Sequence, residues 1–119
     1  MDAKSLYPLA ENAPDLIKTP TGKSLSDLTV EAILREEVTA ADFAITPEAL
    51  LQQAEIAAAH GRHALAANFR RAAELVHVPQ DLLMETYEML RPGRADAASL
   101  RERAALLRRD LGAARIADF

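Results

Sequence analysis

The side chains that most often hold metal ions or act in catalysis are sparse in this chain of 119 residues. It contains three histidines, His60, His63 and His77, and no cysteine. His60 and His63 are three residues apart, a spacing that suits a metal ion if both lie on one uninterrupted helix. Gly61 lies between them and favours a break, and no carboxylate has a suitable offset. We therefore expect surface histidines near a helix junction.

The remaining candidate catalytic groups do not form a set. Glu36 and Glu37 are adjacent, so on a helix their side chains point about 100° apart and cannot act as acid and base on one substrate. The serines are predicted in loops or at helix caps rather than at a nucleophile elbow. The glycines are isolated, so no phosphate-binding loop is predicted. The sequence predicts no catalytic, cofactor-binding or metal-binding residue in this chain.

The strongest local signals predict a helical hairpin. Thr46 is a good N-cap residue, Pro47 suits the first helical position, and Gly61 can take the left-handed conformation that ends a helix. These signals predict one helix over 47–59 and a second over 62–76, joined as an antiparallel pair. The second helix has a 3.6-residue apolar period, carried by Leu65, Phe69, Ala72, Ala73 and Val76.

Weaker patterns predict the other elements. A short helix is expected within 26–36, a single turn capped by Thr39, a helix beginning at Pro79 and a last helix capped by Asp96. The apolar stripe predicted for that last helix comprises Leu100, Ala104, Leu107, Leu111 and Ala114. It reaches Phe119 without a capping signal, which leads us to expect that the native chain continues. We predict an all-α fold of about five helices, including a central helical hairpin.

Residues 1–23 have no helical or strand period, because Pro8, Pro14, Pro20 and Gly22 divide them into short pieces. The segment is nevertheless rich in large apolar residues, which a disordered tail normally lacks. We therefore predict an extended N-terminal arm over residues 1–23 that docks on a partner, followed by a helical domain over 24–119. A flexible terminus is the alternative.

Composition narrows the class of protein. Hydrophobic residues make up 50% of the chain and aromatic residues 4%, which favours helices rich in Ala and Leu. The net charge of −4 argues against nucleic acid as a partner, and no apolar run is long enough for a membrane span. Residues 60–119 hold ten basic residues, all arginines. An Arg-rich face suits a protein interface, although a solvated face remains open.

Asn68 is predicted in the middle of the second hairpin helix, where asparagine is mildly unfavourable. We expect it to bond either to a neighbouring loop or to a partner chain. The hairpin superficially resembles a tetratricopeptide unit, which would make the protein a free-standing interaction adaptor. However, no second copy is present, and at least three repeats are normally needed.

A series of ordered motifs carries a closer resemblance. They are Tyr7-Pro8-Leu9-Ala10, Lys18-Thr19, Lys23-x-Leu25-x-Asp27-x-Thr29, Val38-Thr39-Ala40-x-Asp42, Ile45-Thr46-Pro47-Glu48-x-Leu50, Gln53-Ala54-x-Ile56-Ala57, Gly61-Arg62-x-x-Leu65-Ala66-x-Asn68-Phe69-x-Arg71-Ala72-Ala73-Glu74-Leu75, Val78-Pro79 and Tyr87-x-x-Leu90-Arg91-Pro92. With these motifs the chain resembles the small (gamma) subunit of adenosylcobalamin-dependent diol and glycerol dehydratases over residues 7–92.

The resemblance implies a non-catalytic subunit of a dimer of heterotrimers, whose partners are a large (alpha) and a medium (beta) subunit. Adenosylcobalamin would be bound by those subunits and not by this chain. The complex would dehydrate propanediol or glycerol to an aldehyde by a radical mechanism, and the small subunit would stabilise the large catalytic one.

We expect a cytoplasmic protein, because the N-terminus lacks the charged and then apolar pattern of a signal peptide. Related subunits housed in microcompartments often carry a longer N-terminal extension, whereas Tyr7 lies almost at the start here. Microcompartment association is therefore open but not indicated. We expect the contacts with partner subunits to include Tyr7, Leu9, Leu16, Ile17, Arg62, Asn68 and Arg71.

Overall fold

The computed structural model describes residues 2–119. These residues form seven α-helices: α1 (Leu9–Asn12), α2 (Val30–Leu34), α3 (Pro47–Ala59), α4 (His63–Leu75), α5 (Gln80–Met89), α6 (Ala97–Asp110) and α7 (Ala114–Asp118). Short 3-10 turns lie at Ala3–Leu6, Pro14–Leu16, Leu25–Asp27 and Ala40–Phe43. The described part of the chain has no strand, only an isolated antiparallel bridge between Lys18 and Ser24. The all-α prediction is confirmed.

The residues that were predicted to begin and end the first helix of the hairpin do so. The Thr46 hydroxyl accepts a hydrogen bond from the Ala49 amide at 3.1 Å, and Pro47 opens α3. Gly61 has a φ of +75°, the left-handed conformation that glycine adopts without steric cost. It separates α3 from α4, so the chain reverses between the two helices within three residues.

Small side chains form the core of this hairpin. Ala54 and Ala66 are fully buried, and Ala57 is nearly so. Ala58 and Phe69 pack against these three from the partly buried margin. Because alanine projects only a methyl group, two helices that meet through alanines can approach closely, and the contact leaves no room for a larger residue.

Thr29 and Thr39 begin the elements that were predicted within residues 26–43. Thr29 caps α2 through a bond from the Ala32 amide at 3.1 Å. Thr39 caps the turn Ala40–Phe43 through a reciprocal capping box with Asp42. Both elements are short, so most of their stability must come from packing against the rest of the chain.

The predicted continuous last helix is wrong. Helix α6 is capped by Asp96, as expected, but it ends at Asp110. Gly112 then takes a φ of +63°, and the Ala113 amide bonds back to the Leu107 carbonyl at 2.9 Å. The chain turns there and begins α7. This break, together with the unpredicted α1, raises the number of α-helices above the predicted five.

The extended conformation predicted for residues 1–23 is not confirmed. Met1 lies outside the described residues. The rest of the segment contains α1 and the two turns Ala3–Leu6 and Pro14–Leu16. The Asn12 side-chain amide donates to the Tyr7 carbonyl at 2.8 Å, and Leu9 is buried. Such elements of three or four residues are too short to show a period in the sequence.

Contacts divide the chain into two compact units, one ending at Phe69 and the other running from Arg70 to Phe119. In the first unit, the turn Ala3–Leu6 packs on α3; in the second, α6 packs on α7. Among the helices that residues 2–119 form, none has the length and apolar character needed to cross a membrane.

Candidate interaction surface

A groove lies beside the junction of α3 and α4, with Tyr7 on one side. We call it the hairpin groove, and its lining residues are Tyr7, Gln53, Ile56, Ala57, His60, Arg62, Leu65 and Phe69. Its volume is about 270 Å³. That is the space of one or two large side chains rather than of a whole cofactor, because small-molecule sites usually measure about 300–1,000 Å³.

The end of α3 positions the polar side of the hairpin groove. His60 is the C-cap residue of α3, and its Nδ1 donates a hydrogen bond to the Ile56 carbonyl oxygen at 2.9 Å. The Tyr7 ring lies edge-on to the His60 ring, with centroids 6.2 Å apart. The Arg62 amide donates to the Ala57 carbonyl at 2.8 Å, which fixes its backbone at the rim.

A second groove runs between the N-terminal segment and the first half of α3. We call it the N-terminal groove, and its lining residues are Tyr7, Pro8, Leu9, Ala10, Leu16, Ile17, Lys18, Thr19, Pro20, Thr46, Glu48, Ala49, Gln52 and Gln53. A bond of 3.4 Å from the Gln52 side chain to the Leu16 carbonyl links its two sides. Tyr7 lines both grooves, so the two form neighbouring parts of one surface.

The buried carboxylate of Asp42 holds the loop around residues 19–24 against the turn Ala40–Phe43. Asp42 is 4% exposed, and its oxygens accept bonds from the Lys23 ammonium at 3.1 and 3.3 Å. It also accepts from the Thr21 hydroxyl and, at 2.9 Å, from the Thr39 amide. The Thr19 and Thr21 hydroxyls are 3.1 Å apart.

The bond from Thr21, followed by the one from the Thr39 amide, holds the pKa of Asp42 well below its usual value. These contacts tie the Lys18–Ser24 bridge to the turn Ala40–Phe43. Their role is therefore to hold the loop that follows the N-terminal segment in place.

The second unit has its own polar anchors. The Glu74 carboxylate, on α4, accepts hydrogen bonds from the backbone amides of Arg115 and Ile116, at 3.2 and 3.0 Å. It therefore caps the N-terminal end of α7. The Arg71 guanidinium lies over the Phe119 ring, 4.5 Å from its centroid. These contacts hold α7 against the second half of α4.

Arg103 joins α6 to α5. It bonds to the Thr86 hydroxyl at 2.8 Å and forms an ion pair with Glu85 at 3.0 Å. The Arg103 side chain is only 15% exposed, so this arginine is engaged within its own unit and offers little surface to a partner.

Both units expose large apolar side chains on short helices. In the first unit, α2 exposes Val30, Ile33 and Leu34, which share one helical face at positions i, i+3 and i+4. In the second unit, α5 exposes Met84 and Tyr87, and its C-cap residue Leu90 is exposed as well. Clustered apolar residues on a surface mark sites where another protein binds.

The structure brings most of the predicted contact residues to the two grooves. Tyr7 and Arg62 line the hairpin groove, and Tyr7, Leu9, Leu16 and Ile17 line the N-terminal groove. Leu9 is buried by its own chain and offers a partner little surface. Asn68 and Arg71 line neither groove; Asn68 is exposed on α4. Their predicted contacts with a partner remain predictions.

Two features of this surface do not follow from the sequence reasoning. His60 is exposed at the junction of α3 and α4, where a surface histidine was expected, but it also lines the hairpin groove. The cluster around Asp42 joins Thr19 and Lys23, which belong to separate motifs in the sequence. Polar residues in the motifs that contain Thr19, Lys23 and Asp42 were the available signal, but nothing in their spacing indicates that they meet. Among residues 2–119, no three His, Cys, Asp or Glu side chains are grouped so that they could share a metal ion.

Comparison with known proteins gives consistent results. The family model described as "Dehydratase small subunit" matches residues 2–119. The chain is 54% identical over 89 residues to the propanediol dehydratase small subunit of Citrobacter freundii; the match covers 75% of this chain and 52% of that protein. It is 51% identical over 94 residues to the propanediol dehydratase small subunit of Salmonella typhimurium, covering 79% of this chain and 54% of that protein. The chain spans about half the length of the curated relatives it matches.

Proposed function

The chain belongs to the dehydratase small-subunit family, and on that basis we propose that it is the non-catalytic small subunit of an adenosylcobalamin-dependent propanediol or glycerol dehydratase. Its work would be to bind and stabilise the large catalytic subunit. The observation that carries the proposal is the family match over residues 2–119, together with identities above 50% to two propanediol dehydratase small subunits.

The exposed apolar residues support a role in assembly. Tyr7 is 62% exposed and Leu16 is 47% exposed, although both side chains are large and apolar in character. Burying them against another subunit would contribute less than the ~1.5–3 kcal/mol of a fully exposed apolar side chain, because each is already partly covered by its own chain. Because the two residues line adjoining grooves, one partner surface can cover both. The family assignment does not favour the alternative of a free-standing adaptor.

The hairpin groove is poorly suited to adenosylcobalamin. At about 270 Å³, the groove is too small for a corrinoid. We therefore assign the cofactor, and the radical dehydration that it makes possible, to the large and medium subunits.

In this proposal the complex is a dimer of heterotrimers in the cytoplasm, acting on 1,2-diols or on glycerol. The absence of cysteine from the 119 residues agrees with a reducing compartment. The substrate preference would be decided in the large subunit.

Co-expression tests this proposal. The full chain is produced together with the large and medium subunits, with an affinity tag on the large one alone. We expect the chain to be recovered in equal amount to the large subunit after washing in high salt. Recovery of the large and medium subunits without it would contradict the proposal.

A further inference from the structure

The hairpin groove combines an apolar floor with a positively charged rim. Ile56, Ala57, Leu65 and Phe69 form the floor, whereas Arg62 is the charged residue at the rim. No aspartate or glutamate of residues 2–119 lines this groove. The N-terminal groove differs, because Lys18 and Glu48 both line it and balance one another.

Arg62 is available to a partner. Its side chain is exposed. Its backbone amide donates to the Ala57 carbonyl, and its backbone carbonyl accepts from the Ala66 amide. Within the described residues no carboxylate pairs with its guanidinium. Several other exposed arginines do have such partners, for example Arg91 with Glu88 and Arg108 with Asp118. An unpaired guanidinium at the edge of an apolar groove is suited to a carboxylate that approaches together with an apolar side chain.

We propose that the hairpin groove receives one apolar side chain of a partner subunit and that a neighbouring carboxylate of the same segment pairs with Arg62. The occupant is thus an acidic segment with an apolar anchor that belongs to the large subunit, the partner named in the proposed function. This inference rests on the proposed function, and it names the chemistry by which the partner is recognised.

The walls of the groove favour an aromatic or branched aliphatic anchor. The rings of Tyr7 and His60, which stand at 70° to one another, both line the groove, together with the Phe69 ring and one polar side chain, Gln53. An inserted ring or branched chain would contact their faces and edges. The charge pair at the rim would then be partly desolvated, which strengthens it relative to a fully exposed pair.

Charge reversal tests the inference. Arg62→Glu should weaken binding of the chain to the co-expressed large and medium subunits by about tenfold or more, and Arg62→Gln should weaken it less. Arg101→Glu is the matched control, because Arg101 is an exposed arginine on α6 that lines neither groove. The helical circular dichroism and thermal midpoint of each variant show that the fold is kept. Equal binding by Arg62→Glu and wild type would overturn the inference while leaving the proposed function intact.

A photo-crosslinker in place of Leu65 identifies the occupant directly. Leu65 is 39% exposed within the groove, so the probe would touch whatever enters. We expect mass spectrometry to place the crosslink on an apolar partner residue next to an aspartate or glutamate, and replacing that carboxylate by arginine should restore binding to Arg62→Glu. A crosslink to a segment without a carboxylate would overturn the inference. If the wild-type chain fails to bind either subunit, the proposed function fails and this inference with it.

Discussion

The ring of Tyr7 contacts the ring of His60 edge-on, at a centroid distance of 6.2 Å. This contact joins the N-terminal segment to the C-cap of α3, two parts of the chain that are far apart in sequence. It gives the hairpin groove its second wall and places Tyr7 where the two grooves meet. The surface proposed to bind the partner subunit therefore depends on how the N-terminal segment folds against the hairpin.

Replacing Tyr7 and Leu16 together by aspartate should weaken assembly and leave the hairpin folded. Both residues are exposed in this chain, whereas the complex would bury the new carboxylates without a partner. We expect binding to the large and medium subunits to fall by about tenfold or more. Binding is measured by co-purification, and folding by the thermal midpoint of the isolated chain.

Leu9→Asp is the control for this pair. Because Leu9 is 8% exposed, its replacement should lower the thermal midpoint of the chain itself. The account predicts opposite results for the two sites: lost binding at Tyr7 and Leu16, lost stability at Leu9. Undiminished binding by the double variant would show that the N-terminal groove faces solvent in the complex.

The alanine core of the hairpin should reject a larger side chain. Ala66 is 0% exposed against α3, so Ala66→Leu should destabilise the chain by about 1–3 kcal/mol through overpacking. Ala64→Leu adds the same atoms on the exposed face of α4 and should change stability by less than ~0.5 kcal/mol. Urea unfolding followed by circular dichroism measures both variants, and similar effects would contradict the packing described.

The Asp42 cluster should make stability depend on pH in acid. The pKa of Asp42 in the folded chain is held below its ordinary value of 3.8, chiefly by the bond from Thr21. A carboxylate whose pKa is lowered by folding contributes stability that is fully present above about pH 4 and is lost as the pH falls toward the folded-state pKa. Wild type should therefore lose stability as the pH falls below about 4.

Asp42→Asn isolates this effect from that of other carboxylates whose pKa values are also lowered, such as Asp27 and Asp96. At pH 6 the variant should be less stable than wild type, because the bond to Lys23 loses its charge. The difference between the two should shrink as the pH falls from about 4 to about 2. Urea titrations at several pH values measure it, and a difference that stays constant would show that the ionisation of Asp42 is not involved.

Helix α7 should depend on a carboxylate from α4. Glu74→Ala removes the acceptor for the Arg115 and Ile116 amides. We expect these two amides to exchange with deuterium about fivefold faster, the equivalent of losing a cap worth ~1 kcal/mol. Glu102→Ala, an exposed glutamate on α6, serves as the control and should leave their exchange unchanged.

The helix ends that depend only on residues adjacent in the sequence were predictable. Thr46, Pro47 and Gly61 act through their own backbone and the next turn of helix, so their effect can be deduced from residue type. The break at Gly112 was missed because Leu107, Leu111 and Ala114 continue the apolar period across it. Helix α7 is capped by Glu74, which lies about forty residues earlier in the chain. No local sequence pattern predicts that contact.

The candidate surface was predictable only in part. Exposed apolar residues among several prolines indicated that the N-terminal segment contacts something, and Tyr7, Leu16 and Ile17 do line a groove. The partner of Tyr7 within the chain could not be predicted, because its contact with His60 depends on the path of the intervening 52 residues. The same limit applies to Asp42, whose partners Thr21 and Lys23 lie about twenty residues earlier.

The most direct test of the central claim is the dehydration of 1,2-propanediol with adenosylcobalamin, measured with and without this chain. The large and medium subunits are prepared alone and together with the full chain, and the chain is also assayed by itself. The account predicts that soluble yield and turnover of the complex require the chain and that the isolated chain shows no turnover. Full activity of the other two subunits without it, or turnover by the chain alone, would contradict the account.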